Sequence, residues 1–164
     1  MRTLWALAAV GLVAACSSPE DKAPTQRDQI GQVWKYESGE HGKVKVAYIG
    51  SANTVQTMTA ADTFSVLLVQ PMEKGEADVT VKLVGAPFIC DLSDCSVTAT
   101  TDDGKTHEWK GRMTDNKDGI EVLPAAGAYG AIKDSKTIKV NLVVGPKDKS
   151  FPFQFNVAGL DLKG

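Results

Sequence analysis

From Val33 onward one pattern recurs and limits the folds open to this chain. Apolar and polar residues alternate over a short run, a turn signal intervenes, and alternation resumes about every ten residues. Side chains on a strand point alternately to its two faces, so each run reads as a strand with one face to bury. In Asp78–Val84, Val79, Val81 and Leu83 share a face. In Lys136–Val144, Ile138, Val140, Leu142 and Val144 do. Phe151, Phe153 and Phe155 form an aromatic stripe at the same period. Strands do not alternate with helices, which argues against a parallel sheet. The pattern predicts a mostly β fold, an antiparallel β-sandwich or related barrel, with one short helix near 125–134.

The weaker segments complete this reading. Val33–Glu37 is a first strand with Trp34 and Tyr36 on one face. In Lys43–Gly50, Val44, Val46 and Tyr48 face one way, and Lys43, Lys45 and Ala47 the other. Asn53–Met58 is a weaker strand candidate. Asp62–Gln70 is apolar on both faces, as in a central strand. Asp103-Gly104 suits a two-residue hairpin turn between Ser96–Thr101 and Thr106–Arg112. Asp115–Gly119 is a second turn cluster, followed by a strand at Ile120–Leu123. Pro124 suits the first turn of a helix over Pro124–Ser135, which Gly127 and Gly130 keep short.

The N-terminus sets the compartment. Arg2 precedes an apolar run, Leu4–Ala15, whose twelve residues fall short of the roughly twenty that a spanning helix needs. The run therefore reads as a signal peptide, residues 1–15. Its end, Val13-Ala14-Ala15-Cys16, resembles the bacterial lipobox. That resemblance implies cleavage before Cys16, diacylglycerol on its sulfur, N-acylation in many bacteria, and a membrane anchor. Ser17 and Ser18 follow where an inner-membrane retention signal would have Asp. By the same resemblance the anchor sits in the periplasmic leaflet of the outer membrane. Ser17–Gln32 has little to bury, so residues 16–32 read as lipidated cysteine plus flexible tether. Residues 33–164 form the β domain. The formal net charge of −2 leaves no footprint for nucleic acid.

Lipidation of Cys16 leaves Cys90 and Cys95 to pair. In an exported chain the expectation is a disulfide across the four intervening residues. Redox pairs usually enclose two residues in a βαβ frame, which this chain lacks. Zinc would need two more ligands, and only His41 and His107 are available. Neither histidine has a nucleophile motif near it. His107 lies in a predicted strand and reads as a surface residue. Asp115–Gly119 fails the EF-hand pattern because Lys117 stands at a ligand position. Turn chemistry accounts for this cluster and for Asp91, Asp94, Asp102 and Asp103. No catalytic residue, metal site or cofactor is expected.

Trp34, Phe88, the Cys90/Cys95 hairpin, Asp103-Gly104 and Phe155-Asn156-Val157-Ala158-Gly159-Leu160 occur in an order that resembles an uncharacterised family of exported bacterial β-sandwich lipoproteins. The resemblance spans most of residues 33–162. Leu162 departs from it, since an aromatic residue is often seen there. Some look-alikes are accessory proteins of type VI secretion systems. The shared positions are scaffold, so the resemblance carries over no catalytic residue.

The leading expectation is a non-enzymatic outer-membrane lipoprotein that presents its β domain to a protein partner in the envelope. The alternative is a carrier for a small apolar or lipid ligand, held in a cavity lined by residues such as Phe64, Val81 and Phe153. An Asp/His hydrolase ranks last and needs a histidine beside a carboxylate in a cleft.

Overall fold

Period-two alternation becomes a ladder in the computed structural model, which describes residues 23–88, 90, 95–145 and 149–163. The signal peptide, Cys16 and the loop of the cysteine pair lie outside the described residues. Among the described residues nine strands form one antiparallel sheet. They are β1 (Lys35–Ser38), β2 (Val44–Gly50), β3 (Phe64–Pro71), β4 (Ala77–Val84), β5 (Cys95–Thr101), β6 (Thr106–Met113), β7 (Gly119–Leu123), β8 (Thr137–Gly145) and β9 (Lys149–Asn156). Two short helices accompany them, α1 (Gln26–Ile30) and α2 (Ala125–Lys133).

The strand order is β1-β2-β3-β4-β7-β6-β5-β8-β9. Consecutive hairpins build the first four strands. The chain then crosses to β5, returns through β6 to β7, and pairs β7 back onto β4 through Thr80–Glu121, Val81–Ile120 and Lys82–Gly119. Helix α2 carries the second crossover, from β7 to β8, and packs on β4 and β7. The result is an open sheet curled into a sandwich-like form. Val79, Val81, Val97, Ile138, Val140, Leu142, Phe153 and Phe155 are all buried in one core, with Ala128 and Ile132 of α2 against it.

The two edges of the sheet meet without a ladder. Trp34 Nε1 donates to the Val157 carbonyl at 2.9 Å. The Tyr36 hydroxyl accepts from the Asp161 N–H at 3.1 Å. On β9, the Ala52 N–H donates to the Gln154 carbonyl at 2.7 Å. The Asn53 side-chain amide then spans two residues of that edge. Its Nδ2 donates to the Pro152 carbonyl at 2.8 Å, and its Oδ1 accepts from the Gln154 N–H at 2.8 Å. Pro152 contributes no N–H of its own, as suits an edge position. One amide thus takes the place of a neighbouring strand.

Four local expectations change. Part of the segment read as tether is folded: Thr25 caps α1 in a capping box with Asp28, and Gly31 ends the helix at φ 74°. Arg27 Nη2 donates to the Ala52 carbonyl at 2.8 Å, and the Gly50 N–H donates to the Gly31 carbonyl at 2.9 Å. These bonds fix α1 to the domain. Asn53–Met58 is not a strand. Only Val55 bridges, to Thr63, because Asn53 is engaged at the β9 edge. The Asp-Gly hairpin is a three-residue loop, Asp102–Gly104, in which only Gly104 takes a positive φ, 83°. The Gly104 N–H donates to the Thr101 carbonyl, closing a type I turn ahead of the left-handed glycine. Pro124 is extended at φ −76°, ψ 138° and caps α2 from outside the first turn.

Candidate functional site

The cysteine pair is formed. Cys90 and Cys95 are joined at an S–S distance of 1.97 Å with their Cα atoms 5.2 Å apart. Cys95 opens β5 and is buried. Opposite it in the β5–β6 ladder stands Gly111, whose missing side chain leaves room for Cys95 and Ile120.

The acidic turns are occupied by their own contacts. Asp102 accepts the Lys136 N–H at 2.9 Å, a bond that lowers its carboxyl from the usual carboxylate range. Asp103 pairs with the Lys105 ammonium at 2.7 Å and accepts the Thr101 hydroxyl. The ammonium, then the hydroxyl, hold that carboxyl well below the ordinary range. Asp118 pairs with Lys82 at 2.5 Å and accepts the Thr114 hydroxyl at 2.9 Å, and both lower it. Among the described residues no three His, Cys, Asp or Glu side chains gather in a group that could hold a metal ion.

His107 is half-buried, not a surface residue. It shares the inward face of β6 with Trp109 and stacks on that ring, centroids 5.4 Å apart. His41 occupies an exposed turn at φ 58°. The three residues named for an internal cavity do not line a common space. Val81 and Phe153 belong to the core cluster, whereas Phe64 alternates to the other face of β3.

That other face holds a concavity that sequence reasoning missed. On β2 the core takes Ala47 and Ile49, both fully buried. The larger set, Val46 and Tyr48, therefore points away from the core. On β3 the core takes Leu67 and Val69, so Val66 and Leu68 point the same outward way. With Ile30 of α1 and Val84 of β4 these side chains line a shallow groove of about 560 Å³. Its rim is polar, formed by Gln26, Glu37 and the Lys82–Asp118 pair. The signal was present in the sequence. Two neighbouring strands, β2 and β3, carry apolar residues on both faces, more than one core needs. Helix α1 supplies the wall, and the Thr25-to-Asp28 capping spacing marks its start.

No protein-family model matches the chain, and no curated protein sequence matches it. A solved structure shares its fold. This is the crystal structure of invasion associated protein B from Bartonella henselae, with a TM-score of 0.51 over 78% of this chain and 86% of that one. The two are 16% identical, so the likeness is one of fold.

Proposed function

We propose that the chain is a lipid-anchored lipoprotein of the outer membrane, facing the periplasm, whose β domain works without catalysis as a binding or adaptor module for an envelope partner. The observation that carries this reading is a length. The lipobox-like stretch ends at Cys16, and the first described helix starts at the Thr25 cap, nine residues later. Fully extended, that connection reaches about 30 Å. A domain on so short a lead works at the membrane surface, which suits an adaptor. The carboxylates of Asp102, Asp103 and Asp118 each serve a turn, which supports a scaffold role for them. The family resemblance extends the reading to a secretion-system partner.

Labelling cells with an alkyne fatty acid tests the anchor. The wild-type chain takes the label and pellets with outer membrane, and Cys16→Ser does neither. A labelled Cys16→Ser chain would refute lipidation at that residue. Crosslinking in envelopes tests the adaptor role, and repeated failure to recover a partner refutes it. The groove favours a second reading, a carrier for a small apolar or lipid ligand. Native mass spectrometry of freshly isolated protein separates the two, because a carrier retains a bound mass.

A further inference from the structure

Helix α1 forms one wall of the outer groove, and the chain runs from its Thr25 cap back towards Cys16. Gln26 and Ile30 line that wall, facing Val46, Tyr48, Val66 and Leu68. The connection, eight residues between Cys16 and Thr25, keeps any group on Cys16 within about 30 Å of Thr25. A connection this short holds such a group at an effective concentration on the order of millimolar, so even a weak site on this face is filled from within the molecule.

Charge narrows the occupant. The cation on the rim, Lys82, is matched by Asp118 at 2.5 Å, and the remaining charged rim residue is the carboxylate Glu37. A free fatty acid would bring a second carboxylate to this rim, where no described lining residue offers an unmatched cation. An acyl chain esterified to glycerol is neutral along its whole length and meets no such repulsion.

We propose that the groove takes an acyl chain of the lipid on Cys16 when that lipid is outside a bilayer, so that the domain shields its own anchor from water. This rests on lipidation of Cys16. In a bilayer the whole chain is removed from water, and in an open groove only part of it is. The bilayer therefore wins wherever one is present, and the groove fills during transit between membranes.

The test uses the full mature chain in lipidated and Cys16→Ser forms, with a diacylglycerol bearing a polarity-sensitive fluorophore on one chain as probe. The unlipidated protein binds the probe saturably. Leu68→Glu and Val46→Asp in the Cys16→Ser background weaken binding by about tenfold or more, with circular dichroism unchanged. The lipidated protein, freed of detergent, leaves the probe unbound because its own chain fills the groove. Palmitate at neutral pH competes poorly. The proposal is overturned if the Cys16→Ser protein does not bind, if a folded Leu68→Glu or Val46→Asp chain binds undiminished, or if the lipidated form binds equally well. Mass spectrometry of Cys16 separates the two ideas. An unmodified cysteine removes lipidation and proposal together, and a lipidated cysteine with an empty groove removes the proposal alone.

Discussion

Gly111→Ala probes the tightest surroundings of any described glycine. The added Cβ would lie 2.8 Å from the Cys95 carbonyl oxygen and 2.9 Å from Cys95 Cβ, and closer still to Ile120 Cγ2. Carbon atoms rest at about 3.5–4.0 Å, so the neighbours must yield by roughly 1 Å. Neither has an easy retreat. Cys95 is held by the ladder and the disulfide, and Ile120 is 2% exposed. Overpacking of this kind costs about 1–3 kcal/mol. Replacing glycine also restricts the unfolded chain, which returns about 0.5–1 kcal/mol. With two fixed walls the cost sits high in its range, and the net loss is about 2 kcal/mol. For a urea slope near 2 kcal/mol/M the unfolding midpoint falls by about 1 M. The same substitution in an Ile120→Ala background, where the nearest wall is gone, should cost at least about 1 kcal/mol less. An unchanged midpoint for Gly111→Ala, or equal costs in both backgrounds, would refute this account of the glycine.

Other expectations follow from the same contacts. Replacing both Cys90 and Cys95 by Ala removes the constraint on a short loop and lowers stability by on the order of 2 kcal/mol in urea unfolding; no change would mean that the loop is equally restricted without its bond. Trp34→Phe leaves the Val157 carbonyl without its donor and costs about 1 kcal/mol. Hydrogen exchange should then quicken at residues 157–161 before it does in β8, and uniform exchange would speak against a local seam. The carboxyls of Asp28, Asp102, Asp103 and Asp118 all sit below their ordinary range in the folded chain. Groups lowered in this way bind fewer protons folded than unfolded, so their contribution is complete above the unfolded carboxylate pKa near 4 and fades as pH falls below it. The urea midpoint should fall between pH 5 and pH 3, and a flat profile would contradict these turn contacts.

The architecture was legible where burial is one-sided. Strands β4, β5, β8 and β9 each put a clean apolar face on one core, and alternation locates them. The disulfide followed from an odd cysteine count. Two neighbouring strands hid the rest. On β2, alternation set Val44, Val46 and Tyr48 against Lys43, Lys45 and Ala47 without choosing the inward face, and it is the small Ala47 that faces the core with Ile49. A two-sided strand offers no periodicity by which to choose its inner face. Strand order was equally out of reach. The return of β7 to β4 depends on how α2 packs across the crossover, which is a long-range contact. Helix α1 was masked by the polar composition around it, although its capping box was in plain view.

Asn53 has a chemical lifetime. Asparagine side chains lose ammonia with time and heat and become aspartate. At this position the change would delete the donor to Pro152 and set an anion against that carbonyl. The Gln154 N–H would keep its acceptor and Ala52 its bond to the Gln154 carbonyl, but the edge of β9 would lose its match at Pro152, next to the buried Phe153. Bare strands of this kind recruit copies of themselves. An aged population of this protein should therefore be more prone than a fresh one to self-pairing at the Pro152 end of β9.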